Sequence, residues 1–444
     1  MFTKIQFKLE LLWLYFKKHT FAFIAIFLAV TLVIIFHKKI TEFYNLPIWH
    51  PRYIGLEGRY TIDNLPDDIA QKISLGLSVL SQNQKPIISP LVESLDIQND
   101  NKDYIFTLKD DITWSNGKKF TAYDINYQIP GISITPLSPT VIKISSETEF
   151  TPIMSLLTEP LIKKNFDGLG DYSVSNVTYQ EGYIKTLRLK PRHQKDVRSI
   201  EYRFYFNQAD VIHAYKIGNV NEIKINSLPP EFTEWHKTNI TKQIETTEKY
   251  VAVFINTQKL GNRQLRQALA YATPKGDKNE RALGPISPNS WAYYSNIKEY
   301  NLNKTRAKEL LKNEKIDHLN LSVNDRQLLP LAEEIKTSWQ NILEIPVSIT
   351  IENQPNFDDY DTILTYGAIT KDPDQYLFWH STQTNTNITK LNNPRIDKLL
   401  EEGRQTNDQI ERKKIYQDFQ TYLLEEVPAI FLYYPTTYTV TRIK

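Results

Sequence analysis

Two aspartates separated by one proline, Asp372-Pro373-Asp374, and eight scattered histidines are the side chains whose types could carry chemistry in this chain. Neighbouring carboxylates can divide acid and base roles, but with a proline between them on a loop they fit turn formation better, bonding the backbone just ahead. The histidines, among them His193, His213, His236, His318 and His380, include no pair at metal-ligand spacing on an expected element. No H-E-x-x-H, G-x-S-x-G, P-loop or Rossmann glycine pattern occurs. Cysteine is absent, which excludes disulfides, thiolate metal sites, cysteine nucleophiles and lipid attachment through cysteine. The chain therefore reads as a non-enzyme without cofactor or metal centre. A hydrolase is the remaining catalytic alternative, and it lacks a nucleophile and a base.

The elements that could position a binding site instead are numerous. A chain of 444 residues, 41% hydrophobic and 12% aromatic, can bury two or more cores. Its 53 basic and 51 acidic residues leave a net charge of +2 with no concentrated basic footprint, so nucleic acid is not an expected partner. Residues 20–36, TFAFIAIFLAVTLVIIF, form an uncharged apolar run between Lys17-Lys18-His19 and His37-Lys38-Lys39. As a helix the run spans roughly 25 Å, and the flanking lysines can snorkel to cover the rest of a bilayer core of about 30 Å. A cleaved signal peptide is the rival reading, but Ile35-Phe36-His37-Lys38 offers no small-residue cleavage site. We expect an uncleaved transmembrane anchor at 20–36. Lys4, Lys8, Lys17 and Lys18 outweigh Lys38, Lys39 and Arg52, which makes residues 1–19 cytoplasmic and the remainder extracytoplasmic. Residues 9–16 read as an interfacial helix or as the lead-in to the span, and 37–52 as a linker.

Residues 104–127, YIFTLKDDITWSNGKKFTAYDINY, organise the chain beyond the linker. Tyr104, Phe106 and Leu108 alternate as in a half-buried strand, Asp110-Asp111 turns the chain, and Ile112-Thr113-Trp114 reads as a second short strand. Ser115-Asn116-Gly117 supplies a tight turn, and Thr121 with Asp124 makes a capping-box variant for a helix that Pro130-Gly131 ends. Upstream, residues 61–66 read as a strand and turn and 67–79 as a helix. Downstream, strands are expected at 140–144, 200–206, 251–257, 347–351 and 360–367. Helices are expected at 209–217, 263–272, 304–312, 329–343, 394–402 and 410–424, and a closing strand within 427–434.

This block closely resembles the signature of the family 5 extracytoplasmic solute-binding proteins, the peptide- and nickel-binding components of ABC importers. Tyr104, Phe106, Leu108, Asp110, Trp114, Asn116, Gly117, Thr121, Ala122 and Asp124 match it, with Lys109 in place of arginine. Gly168-Leu169-Gly170-Asp171-Tyr172 resembles the family's G-T-G-P-Y element. Arg266, Gln267, Ala268, Leu269, Tyr271 and Ala272 match V-R-Q-A-L-x-Y-A-I. Asn393, Pro394, Asp397, Leu399, Leu400, Arg412 and Tyr416 match the late helices. Arg266 reads as a helix residue of the core rather than a ligand contact.

The resemblance implies an α/β, two-lobed periplasmic-binding-protein-like fold of the type II, large peptide-binding class. Lobe I would comprise 53–255 plus 430–444, and lobe II 256–429, with hinges near Asn256 and Phe431. It also implies capture of a peptide-like or other small solute for an ABC permease, with Tyr366, Gly367, Ala368, Asp372 and Tyr434 lining the site. Tyr366 takes the place of the family's cleft tryptophan. The acid that peptide-binding members use for a ligand amine falls on Ile369, which cannot pair with an ammonium. The family's longer helical insertion after Asp124 is missing. A membrane-anchored scaffold that has lost ligand binding is the alternative these departures leave open.

Overall fold

A computed structural model describes residues 13, 15, 17–44, 51–193, 197–312, 316–352, 357 and 359–443, with only the backbone at Phe23 and 34–44. The apolar run lies in one continuous helix, Thr20–Tyr44. Among the described residues no helix is long and apolar enough to cross a membrane. The linker expected at 37–52 is corrected: the helix runs on to Tyr44 and a strand begins at Arg52, while 45–50 fall outside the described residues, as does the expected interfacial segment apart from Trp13 and Tyr15.

Beyond the linker the chain forms two α/β lobes. A seven-stranded mixed sheet runs in the order Thr238–Ile244, Thr436–Arg442, Glu222–Ile225, Arg52–Glu57, Ile200–Tyr205, Tyr183–Pro191, Tyr172–Gln180. Its central strand, Arg52–Glu57, is parallel to both neighbours. The helix Asp67–Ile73 covers one face through Ile69, Ala70 and Ile73, and the helix Gln208–Lys216 covers the other through Val211, Ala214 and Tyr215. Asn207 caps the second helix by accepting from the Asp210 amide.

Attached to this lobe is a four-stranded antiparallel sheet, ordered Val92–Gln98, Asp103–Leu108, Val141–Ser146, Ile132–Ser138. Trp114, 1% exposed, anchors its core, with Phe120 edge-on at 5.5 Å and the Lys163 ammonium 4.2 Å from its ring. The Gly168 and Gly170 element closes the junction by close approach. A Cβ at Gly168 would sit 2.1 Å from the Ile73 carbonyl oxygen, so only glycine fits there.

The second lobe is built on a five-stranded sheet ordered Val347–Ile351, Leu319–Val323, Thr362–Ala368, Lys249–Ile255, Ala429–Tyr433. Every residue from Tyr250 to Ile255 is buried, because both faces of the strand are covered. Val251, Val253 and Ile255 meet the side carrying the helices Arg263–Ala272, Lys304–Leu311 and Leu329–Leu343. Tyr250, Ala252 and Phe254 meet the side carrying Pro394–Gln405 and Gln409–Glu426. Arg266, 3% exposed, ties two of these helices together. It donates to the carbonyls of Leu260, Gly261 and Glu426 at 2.9 Å each and reaches the Glu426 carboxylate at 3.2 Å.

Lys275, just beyond Arg263–Ala272, donates among the described residues only to the carbonyls of Ala270 and Thr273, at 2.5 and 3.0 Å. Burial, with Arg281 adding repulsion, pushes its ammonium down to about 7. Between that value and the ordinary lysine range the unfolded chain holds a proton that the folded one lacks, so this residue makes stability rise with pH across the window. Lys275→Met is expected to flatten that rise and to raise the melting temperature at neutral pH. Urea midpoints of both proteins from pH 7 to 10 check it, and parallel curves would refute it.

Several expectations need correction. Ile112-Thr113-Trp114 is not a strand but a segment with one isolated bridge, Thr113 to Lys119. The capping box of Thr121 and Asp124 forms, yet the helix behind it is only the three-residue turn Ala122–Asp124. Residues 61–66 hold a short 3-10 turn, Ile62–Asn64, instead of a strand. The helix expected to reach Val79 stops at Ile73. There the Ser74 hydroxyl donates to the Leu161 carbonyl, and Gly76 lies against the Leu157 carbonyl, so the chain is drawn extended into Ser78–Leu80. The strands Lys249–Ile255 and Ala429–Tyr433, between which and the helices the lobe boundary was expected, pair with each other inside the second sheet.

Candidate functional site

The chain passes from the first sheet to the second between Ile244 and Lys249 and returns between Tyr433 and Thr436. The two crossing segments bond to each other, the Glu245 amide donating to the Pro435 carbonyl at 2.7 Å. Beside them lies a cleft of about 530 Å³ lined from both lobes. The first lobe contributes Asp67, Asp68 and Gln71 from a helix start, together with Lys224 and Gln243 from strands. The crossing segment contributes Glu245, Thr247 and Glu248, and the second lobe Ser287, Ser290, Ile369, Thr370 and Lys371.

Polar contacts bridge the lobes, one across this cleft and others outside its lining. The Lys371 ammonium meets the Asp67 carboxylate at 2.7 Å. The Ser155 hydroxyl donates to Asp372 at 3.3 Å, and the Thr151 amide and hydroxyl donate to the Arg404 carbonyl at 2.9 and 2.8 Å. The lobes are thus closed on each other around the space between them.

Of the five residues expected to line the site, none is among those lining this cleft. Tyr366 packs against the helices of the second lobe, on the face it shares with Leu364, and the Lys249 ammonium lies 4.3 Å from its ring. Its hydroxyl is raised above the ordinary tyrosine range by burial and then by Asp325 and Tyr433. The expectation that its ring faces the space between lobes is therefore corrected. Strand alternation sends Tyr366 to one face, while Ile369, three residues on, lines the cleft. Gly367 lies against the Tyr250 ring, where a Cβ would come within 2.2 Å of it. Ala368 is exposed outside the cleft lining. Tyr434 is 3% exposed inside the second lobe's core, with its hydroxyl unpartnered among the described residues.

Asp372 is committed elsewhere. Its carboxylate sits in the fork of Arg412, at 3.0 and 2.5 Å, and also accepts from the Asp374 amide at 2.9 Å. Asp374 in turn accepts from the Tyr376 amide at 3.1 Å and pairs with Arg404 at 2.9 Å. The two aspartates are turn formers and arginine partners, with no acid and base arrangement between them. Among the described residues no three His, Asp or Glu side chains converge as metal ligands would.

Apart from Asp67 and Lys371, which pair with each other, the charged residues of the cleft are Asp68, Lys224, Glu245 and Glu248, and they carry no motif. The one available signal was the Glu245-Thr246-Thr247-Glu248-Lys249 run placed directly before a wholly buried strand. Such a run must lie where the chain emerges from a sheet edge.

Comparison with known proteins agrees with this architecture. Residues 87–134 and 139–388 match the profile described as bacterial extracellular solute-binding proteins, family 5 Middle. The chain is 22% identical over 282 residues to the oligopeptide-binding protein AppA of Bacillus subtilis, covering 54% of this chain and 51% of that one. It is 27% identical over 228 residues to heme-binding protein A of Haemophilus influenzae, covering 44% and 40%. These matches span about half or less of the curated relatives' length. In three dimensions it is similar to NikZ of Campylobacter jejuni, solved in complex with Ni(L-His). The TM-score is 0.72 at 22% identity, covering 88% of this chain and 94% of that one. At this identity the likeness speaks for the fold.

Proposed function

The chain belongs to family 5 of the bacterial extracellular solute-binding proteins, and from that premise we propose that it is a membrane-anchored receptor that captures a short peptide or other small solute between its lobes for an ABC permease. The observation that carries this reading is the cleft, about 530 Å³ and lined from both lobes beside the crossing segments. That volume suits a small-molecule ligand, and a site between lobes can open and close by a hinge. The reading draws the hinge at 245–248 and 434–435, where the chain changes sheets, and so assigns 51–244 with 436–443 to lobe I. No covalent step is involved.

The anchor is the apolar run 20–36 within the helix Thr20–Tyr44, oriented with 1–19 in the cytoplasm and the lobes outside. One observation favours the alternative of a scaffold without a ligand. Tyr366 and Asp372, two of the residues implied by the family pattern, are taken up in lobe packing.

Isothermal titration of the full chain in detergent with a panel of uncapped short peptides and small metabolites is expected to give saturable binding. Absence of binding across that panel would leave the scaffold. For the anchor, the protein is expected to stay with membranes through an alkaline carbonate wash with its N-terminus intact. Release with a new N-terminus after about residue 36 would refute the anchor.

A further inference from the structure

The helix Pro394–Gln405 leaves the carbonyls of its last turn without partners inside the helix, and here a partner comes from the other lobe. The Thr151 amide donates to the Arg404 carbonyl at 2.9 Å, and the Thr151 hydroxyl donates to the same carbonyl at 2.8 Å and to that of Gly403 at 3.4 Å. Phe150, the residue before, packs on the core of the four-stranded sheet, so this cap belongs to the first lobe. The Arg404 side chain extends the contact. Its guanidinium lies 5.5 Å from the Phe150 ring and 3.9 Å from the Tyr376 ring, and it pairs with Asp374 at 2.9 Å. Arg404 thus meets the first lobe with both its backbone and its side chain.

Neither Phe150, Thr151 nor Arg404 lines the cleft, yet the contact is joined to it from both lobes. In the second lobe Ile369, Thr370 and Lys371 line the cleft, and the same loop runs on to Asp372, which accepts from the buried Ser155 hydroxyl at 3.3 Å, and to Asp374, which holds Arg404. The loop is braced internally. The Gln375 side-chain amide donates to the Thr370 hydroxyl at 3.0 Å, and the Asp374 amide to the Asp372 carboxylate at 2.9 Å. In the first lobe Thr158 lines the cleft, and its hydroxyl donates to the Ser155 carbonyl at 2.7 Å. Both cleft walls are therefore continuous with the contact between the lobes.

We infer that Phe150 and Thr151 with Arg404 form a latch that sets the fraction of molecules whose lobes are closed, and that it acts on solute capture without touching the solute. Only this consequence for capture rests on the solute-binding reading above. A solute that contacts both walls binds the closed state, so its apparent dissociation constant is the intrinsic one divided by the closed fraction. Weakening the latch lowers that fraction and weakens every such solute by one common factor, whatever its chemistry. A substitution in the cleft lining acts on particular contacts, and its effect differs from solute to solute.

The chain has no cysteine, so Leu137→Cys in the four-stranded sheet and Ile410→Cys in the second lobe, both exposed positions, place one spin label on each side of the contact. In the full chain in detergent, double electron–electron resonance is expected to show one inter-lobe distance. Phe150→Ala together with Thr151→Val, in the same labelled background, is expected to add a longer one. Where the double variant melts lower than the parent, Thr151→Val alone is read, and it is expected to add the longer distance in smaller proportion. An unchanged distance distribution in the folded variant would overturn the latch. Among the panel solutes that bind, the double variant is expected to lower every affinity by the same factor, about threefold or more. Factors that differ from solute to solute would also overturn the inference and leave the solute-binding reading intact. Failure of the whole panel would overturn that reading instead, and the spin-label distances would still decide the latch.

Discussion

Trp114→Ala is expected to destabilise the first lobe by about 3–5 kcal/mol, the range for removing a large aromatic side chain from a packed core. The indole is 1% exposed and packs edge-on against Phe120 at 5.5 Å. It also has a polar handle, because its N–H donates to the Asp124 carboxylate at 3.4 Å. That carboxylate accepts from the Thr121 amide at 3.0 Å and pairs with Lys163 at 2.8 Å. Burial works against the Asp124 charge, yet Lys163 and Thr121 outweigh it and hold the carboxyl below its ordinary range. Removing the ring therefore opens a cavity and also uncovers Lys163, whose ammonium lies 4.2 Å from it. Trp114→Phe keeps most of the packing and is expected to lose clearly less. Urea unfolding followed by far-UV circular dichroism separates the two variants, and an unchanged midpoint for the alanine variant would remove Trp114 from the core.

Most of the second lobe was legible in sequence, the strand Leu319–Val323 being missed, and the reason is visible in its packing. Arg263–Ala272 and Leu329–Leu343 were expected at those bounds. Each lays a single apolar face on a sheet, so helical periodicity is undiluted. The strand Lys249–Ile255 was legible as a continuous apolar run because both its faces are covered. Of residues 61–79 only the start of the helix at Asp67 was legible. Their path is set by contacts distant in sequence, such as Ser74 to the Leu161 carbonyl and Gly76 against Leu157, which no local pattern announces.

The site was legible only as a neighbourhood. The loop after Thr362–Ala368 does reach the cleft, through Ile369, Thr370 and Lys371. Matching Tyr366 to a cleft residue failed because a displacement by an odd number of positions along a strand exchanges one face for the other. The carboxylates came from a helix start and from a crossing segment, where acidic residues ordinarily serve as end-charge or solvation. Their convergence is a property of the tertiary fold, and the separate segments do not encode it.

Arg412→Ala is expected to be as damaging as loss of Trp114, about 3–5 kcal/mol, because it strands a buried carboxylate. Arg412 and Asp372 are each 6% exposed, and the guanidinium holds both carboxylate oxygens, at 3.0 and 2.5 Å. Its remaining donors reach the Gly403 carbonyl at 2.6 Å and the Tyr416 hydroxyl at 3.3 Å. Burial works against the Arg412 charge, but Asp372 and then Tyr416 more than offset it, and its pKa rises. The pair thus fastens the helix Gln409–Glu426 to the loop that carries Lys371 into the cleft. The same carboxylate receives the Ser155 hydroxyl from the first lobe at 3.3 Å, so the pair supports closure as well as folding. Asp372→Asn leaves the buried Arg412 guanidinium without its counter-ion, yet it should cost somewhat less than Arg412→Ala, because the amide oxygen still accepts and the guanidinium keeps the Trp291 and Tyr416 rings at 5.4 and 5.3 Å. Ser155→Ala should leave the unfolding midpoint nearly unchanged and weaken solute binding slightly, by loosening only the closed state. Urea midpoints and titrations on the three variants distinguish these roles. A midpoint for Arg412→Ala within about 1 kcal/mol of the parent would mean that water replaces the guanidinium, and that the loop is held in place by its own turn bonds.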